Sequence, residues 1–280
     1  MAENETAPYA APAPARYRTV HLQRAKDEGR RFAMLTAYDF QMAQVFDEAG
    51  LEVVLVGDSA ANTMMGLSTT LPMTLEQIAV YAASVVRGTR HALVLSDMPF
   101  GTYEVSPQQA TENAIRLVKE TGVAGVKIEG GERFAEHVRM LTDAGVPVMG
   151  HIGFTPQSEN VLGGYRIQGR EEGAAERMIR EATVLQDAGA FAVLMEMVPS
   201  DIARQVDEAL RVPTVGIGAG PHTTGQVLVW QDMLGLRAGK MPRFVRQYAD
   251  LRTVVSEAVA EYRRDVLEGT FPAAEHGFDS

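Results

Sequence analysis

The chain contains no cysteine and a single tryptophan. The missing thiols exclude disulfides, zinc–thiolate sites, iron–sulfur clusters and cysteine nucleophiles. Basic charge is also scarce: 26 Lys and Arg stand against 36 Asp and Glu, a formal net charge of −10. A nucleic-acid binder would show a basic stripe, so that class is set aside. Charges or glycines interrupt every apolar stretch short of the ~18 residues that span a bilayer. The N-terminus opens with acids and continues in Ala and Pro, without a basic segment followed by an apolar one. It does not read as a secretory signal. The expectation is a cytoplasmic protein with neither a membrane nor a nucleic-acid partner.

The chain does have length and apolar content: 280 residues, 46% of them hydrophobic. Barrels commonly use about 250 residues as one domain, so this is ample for a large core. Residues 1–17 read as a flexible arm with little to pack, and 18–280 as one domain. From Arg31 onward one pattern recurs: a short apolar run, a polar or Gly-rich stop, then a helical stretch. Strands are expected at 32–37, 53–56, 92–96, 125–128, 147–150, 192–195, 213–217 and 226–230. Helices are expected at 41–49, 75–87, 107–120, 133–144, 174–188, 201–210 and, at the C-terminus, 251–267. Thr74, Ser106 and Ser200 stand where helix N-caps belong, and Gly50, Gly145 and Gly189 where left-handed helix ends belong. Strands this short and apolar are buried on both faces, as in a parallel sheet covered by helices. Eight in one uninterrupted series predict a (β/α)8 TIM barrel with a C-terminal helical extension. The connection 218–225 is too short for a full helix. An open doubly wound sheet would show the same alternation.

Functional residues of a barrel gather at the carboxyl ends of its strands. Reading those ends gives Asp58, Asp97, Glu129, His151 and Glu196. Any one could merely cap the next helix, but five in the same register form a group. Asp58, Asp97 and Glu129 are an all-oxygen set that suits Mg²⁺, and a metal-free acid cluster is the competing reading. Lys127 lies two residues before Glu129, on the same strand face. It reads as a Schiff-base nucleophile, a charge that orients an anionic substrate, or an ion-pair partner of Glu129. His151 reads as a ligand, an acid or a core histidine. Glu196, between two methionines, has the apolar setting that raises a carboxyl pKa toward general-base range, or else pairs with a nearby basic group. Gly216–Gly220 reads as a phosphate loop or a tight turn. The loop 158–173, with Arg166 and Arg170, reads as a lid or a surface loop.

Several motifs together resemble the ketopantoate hydroxymethyltransferase family. They are Leu35-Thr36-Ala37-Tyr38-Asp39, Leu55-Val56-Gly57-Asp58-Ser59, Val126–Glu132 and Gly150–Gln157. Gly163–Arg170, Met195–Pro199, Gly216–Gly220 and Phe271–His276 continue the series in the same order. The resemblance implies a barrel of the phosphoenolpyruvate/pyruvate superfamily and a Mg²⁺-dependent reaction. That reaction moves a one-carbon unit from 5,10-methylenetetrahydrofolate to 3-methyl-2-oxobutanoate, giving 2-dehydropantoate for pantothenate and coenzyme A synthesis. It implies a homo-oligomer, a decamer built as a pentamer of dimers. By position, Asp58 and Asp97 match metal ligands, and Glu129 matches a third acid at the metal, directly or through water. Asp58, Ser59, Asp97 and Lys127 match the ketoacid site, His151 a further substrate-site residue, and Glu196 the proton acceptor. Alternatives are a Mg²⁺-dependent 2-oxo acid lyase or mutase of the same superfamily, a lysine Schiff-base aldolase, and a non-catalytic binder. The absence of cysteine counts against the isocitrate-lyase-like members.

Overall fold

The structure is a computed structural model that describes residues 16–164, 167–169 and 171–278. Arg166, Arg170 and nearly all of the 1–17 arm lie outside the described residues. The first element, helix α1 (Thr19–Asp27), is one the strand–helix alternation did not mark. Eight parallel strands then close into a barrel in chain order. They are β1 (Phe32–Thr36), β2 (Val53–Val56), β3 (Leu93–Asp97), β4 (Gly125–Glu129), β5 (Val148–Gly153), β6 (Ala192–Glu196), β7 (Thr214–Ile217) and β8 (Gly225–Leu228). Between β1 and β2 lies α2 (Phe40–Glu48), and between β2 and β3 lie α3 (Ala60–Thr63) and α4 (Leu75–Gly88). Next come α5 (Pro107–Thr121), α6 (Ala135–Asp143), α7 (Glu159–Leu162), α8 (Ala174–Asp187) and α9 (Ser200–Ala209). Among the described residues no helix joins β7 to β8, as the short connection required.

The chain divides into two compact units after Val227. The second unit contains α10 (Trp230–Met233) and α11 (Leu251–Glu268). Asp250 caps α11 by accepting from the Thr253 N–H, Gly269 ends it in a left-handed conformation, and none of its residues is buried. No helix among the described residues is long and apolar enough to cross a membrane.

Local chemistry explains most boundaries. Thr74 accepts from the Gln77 N–H in a reciprocal capping box, and Ser106 accepts from the Gln109 N–H with Pro107 at the first helical position. Ser200 is no cap. It is the first residue of α9, and Pro199 caps by position, its carbonyl accepting from Ile202 and Ala203. The proline ring fixes the entry and starts the helix one residue early. Strand β8 stops at Leu228 rather than Trp230, because the apolar run 227–230 is shared with α10, and periodicity does not separate the two.

Side-chain alternation does the rest. Phe32 and Met34, Val53 and Leu55, Leu93 and Leu95, Met149, Ala192 and Leu194, Val215 and Val227 form one buried cluster. Leu22 and Ala25 of α1 belong to it. Tyr17 N donates to His91 O just before β3, Gln23 to Arg211 O just before β7, and Lys26 to Asp207 O near the end of α9. Helix α1 therefore plugs the amino-terminal end of the barrel. The opposite end is left to polar groups.

Asp47, near the end of α2, ties that helix to the start of β3. Its carboxylate accepts from the backbone N–H groups of Arg90, His91 and Ala92 at 2.7–2.9 Å. Burial opposes ionisation, but these three donors hold the carboxyl below its ordinary range. Asp47→Ala is expected to cost about 2–3 kcal/mol in urea unfolding at pH 7. The cost should shrink as pH falls through the lowered carboxyl pKa, where the wild type loses the same stability.

Candidate active site

Strand period 2 sets the site one or two residues above the apolar cluster. Leu93 and Leu95 point inward, and so does Asp97; Ala192 and Leu194 are followed by Glu196, and Met149 by His151. On β4, Lys127 and Glu129 share that face. Cross-strand register pairs Asp97 with Lys127, Glu129 with His151 and Gly153 with Glu196. Asp58 lies two residues beyond β2, and its backbone N–H donates to Asp97 Oδ2 at 3.0 Å. All five ionisable strand-end residues, with Lys127, therefore meet at the carboxyl-terminal mouth.

Lys127 is the hub. Its Nζ lies 3.0 Å from Asp97 Oδ1, 3.4 Å from Glu129 Oε1 and 3.1 Å from His151 Nδ1. An ammonium has three donors, and these contacts use them all. Burial opposes its charge, but Asp97, Glu129 and Asp58 hold its pKa above the ordinary lysine value. A Schiff-base nucleophile needs a neutral amine, so the geometry favours Lys127 as a fixed charge. It pairs with Asp97 as well as with Glu129.

The acids divide into two kinds. Burial disfavours ionised Glu129, yet Lys127, His151 and the Gln157 N–H hold its carboxyl down to about 2. Asp58 is pushed well above its ordinary value by burial and by Asp97 and Glu129, and burial raises Asp97 despite Lys127. Burial, then Glu129, pushes Glu196 up to about 8. Its side chain is 16% exposed at the mouth. His151 is kept neutral by burial and by Lys127. Its Nδ1 lies 3.1 Å from Lys127 Nζ and 3.3 Å from Glu129 Oε1, and its Nε2 stands 3.5 Å from Glu196 Oε2. Ser59 Oγ shares a 2.8 Å hydrogen bond with the buried Tyr38 hydroxyl.

A model of the family described as ketopantoate hydroxymethyltransferase matches residues 16–274. The chain belongs to the ketopantoate hydroxymethyltransferase family. It is 55% identical over 269 residues to a 3-methyl-2-oxobutanoate hydroxymethyltransferase of Leifsonia xyli subsp. xyli, covering 96% of this chain and 97% of that one. A Streptomyces coelicolor protein of the same name is 56% identical, covering 90% and 86%. Among solved structures, phosphonopyruvate hydrolase with oxalate and Mg²⁺ shares the fold with a TM-score of 0.61 at 14% identity, over 94% of this chain and 92% of that one. A 2,3-dimethylmalate lyase does so at 0.57 and 16%, over 93% and 91%.

The donor set of this family member suits Mg²⁺, which takes one or two protein carboxylates and completes its shell with water or substrate. Three buried carboxylates face one ammonium. No hydrogen bond among the described residues reaches Asp58 Oδ1, and Asp97 Oδ1 is met by Lys127. Both oxygens of Glu129 are engaged. No group of three or more His, Asp or Glu among the described residues is arranged to hold a metal ion. Gly216–Gly220 forms the turn toward β8, with Gln226 donating to Gly220 O.

Strand-end reading missed Tyr103 and undervalued Gln157, both fully buried against Glu129. Gln157 closes the quoted Gly150–Gln157 motif and was findable there. Tyr103 lies in a loop with no periodic signal. Two backbone features hold Glu196. Met197 takes a left-handed φ of 50°, uncommon for a side chain of its size. At Gly153 (φ 89°) a Cβ would lie 2.4 Å from the Glu196 carbonyl, whereas at Gly145 (φ 85°) it would meet nothing within 4 Å. Gly145→Ala is expected to cost about 1–2 kcal/mol for its backbone conformation. Gly153→Ala should lower the unfolding midpoint further and impair turnover, because β5 must retreat from Glu196.

Proposed function

We propose that the chain transfers a one-carbon unit from 5,10-methylenetetrahydrofolate to 3-methyl-2-oxobutanoate, giving 2-dehydropantoate. The observation that carries the reading is the division of the carboxylates: Glu129 held ionised, Glu196 held near 8. A carboxyl tuned to that range removes a proton at physiological pH far better than an ordinary glutamate. Family membership, with relatives 55% and 56% identical, supports the same chemistry.

Asp58 and Asp97 would hold Mg²⁺, with Glu129 acting through water. The ion, when bound, supplies Lewis-acid polarisation of the 2-oxo acid carbonyl. Lys127 offsets the negative charge that the carboxylate of the substrate brings and that develops on deprotonation. Glu196 accepts the C3 proton, with the His151 ring beside it. Water hydrolyses the folate methylene, releasing tetrahydrofolate and a one-carbon unit at the formaldehyde level. The carbon nucleophile attacks that carbonyl carbon, and the alkoxide formed takes up the proton to give the hydroxymethyl product. The chain works as a homo-oligomer, a decamer in this reading. The exposed Val255, Tyr262 and Val266 of α11 offer an apolar face to a second copy.

Exchange of the C3 hydrogen of 3-methyl-2-oxobutanoate for deuterium isolates the proton step. Glu196→Gln is expected to reduce exchange by at least about 10²-fold while the 2-oxo acid still binds; exchange at the wild-type rate would remove Glu196 as the base. The wild-type rate should rise with pH through a half-maximum at about 8 and level off above it, as the raised carboxyl sheds its proton. Treatment with EDTA should abolish exchange and added Mg²⁺ restore it. Undiminished exchange after chelation would defeat the metal assignment.

A further inference from the structure

Of the four carboxylates at the mouth, Asp97, Glu129 and Glu196 end strands and inherit their direction from the barrel. Asp58 does not. It lies beyond β2, where no strand pairing aims its side chain, and something else must. Gln157, in the turn after β5, reaches it across the mouth. Its Nε2 donates to Asp58 Oδ2 at 2.9 Å and to Met98 O at 3.0 Å. Its Oε1 accepts from the Tyr103 hydroxyl at 2.6 Å, and its backbone N–H donates to Glu129 Oε2 at 3.0 Å. The Tyr103 hydroxyl in turn accepts from the Glu129 N–H at 3.2 Å, and of its two acceptors Gln157 Oε1 at 2.6 Å is much nearer than Glu129 O at 3.2 Å.

A carboxamide has two N–H donors and one carbonyl, and all are used here. The reverse orientation would set the carbonyl against a carboxylate and a backbone carbonyl, so chemistry fixes which end faces Asp58. The glutamine is 6% exposed and the tyrosine 1%, which leaves water little part in replacing these bonds. The consequence falls on Asp58: Oδ2 is tied to the frame, and Oδ1 is turned to whatever the site binds.

We propose that Gln157, aligned by Tyr103, is the positioning residue that aims Asp58, tying one carboxylate oxygen and presenting the other to the cation and the 2-oxo acid. This rests on the reading of Asp58 as part of that binding site. Gln157 touches no reacting atom; it acts through Asp58.

Gln157→Met keeps the side-chain length and removes the hydrogen bonds, while Tyr103→Phe removes a single hydroxyl. Each variant and the double variant are compared with the wild type by calorimetric Mg²⁺ titration of the protein without substrate, by kcat and KM for the 2-oxo acid, and by urea unfolding. In Gln157→Met the Mg²⁺ dissociation constant and KM are expected to rise on the order of tenfold, with kcat changed much less. Tyr103→Phe should move both in the same direction by less. The double variant should be no worse than Gln157→Met alone, because the tyrosine works through the glutamine.

A merely structural role would lower the unfolding midpoint additively and leave Mg²⁺ affinity and KM alone; that result overturns the proposal. If Gln157→Met does not fold, unchanged Mg²⁺ affinity and KM in Tyr103→Phe overturn it instead. A wild type that neither binds Mg²⁺ nor turns over the 2-oxo acid overturns the functional reading and this proposal together. A wild type that does both, beside an unchanged Gln157→Met, overturns this proposal alone.

Discussion

Among the described residues Lys127 is the one cation buried among Asp58, Asp97 and Glu129, and the arrangement of the barrel mouth depends on it. Three carboxylates withdrawn from water repel one another and each loses hydration, a cost of several kcal/mol per ion unless it is offset. The ammonium offsets part of it through contacts at 3.0 Å to Asp97 and 3.4 Å to Glu129. One ammonium is too little charge for three acids. Asp58, left with the weakest share, is displaced from its ordinary acidity, and the site as a whole has room for a further positive charge.

The same shortage sorts the acids by task. Glu129, beside Lys127 and His151, stays ionised as a fixed electrostatic element. Glu196, at the edge of that group and lacking a cation of its own, is held by burial and by its neighbours where it can exchange protons. Around one lysine position, one carboxyl is thus held down to about 2 and another pushed up to about 8. His151 lies between them, with Nδ1 near Lys127 and Glu129 and Nε2 toward Glu196.

Much of the barrel was legible because its signals are local. Each buried strand is a short apolar run, and Thr74 and Ser106 announce the helices they cap. The misses share a cause. Helix α1 has a mean composition too polar to mark, and its buried side, Leu22 and Ala25, has meaning only against the barrel floor. Ser200 looked like a cap because sequence does not show that Pro199 already sets the entry. At the site, the ionisable residues were readable from strand ends. Tyr103 was not, because its hydroxyl matters only through Glu129 and Gln157, 26 and 54 residues away in the chain.

By itself the sequence determined that eight buried strands alternate with helices, that carboxylates and a lysine stand at strand ends, and that no thiol takes part. Hydrophobic periodicity and residue identity are properties of the chain, and they fix these without reference to distance. The tertiary structure alone decided that Lys127 pairs with two acids rather than one and therefore stays charged. It decided that both oxygens of Glu129 are engaged, and that the Gln157 amide, itself bonded to the Tyr103 phenol, donates to one oxygen of Asp58. Those outcomes depend on cross-strand register and on burial, because Coulomb energy and desolvation are set by distances that arise only when the barrel closes.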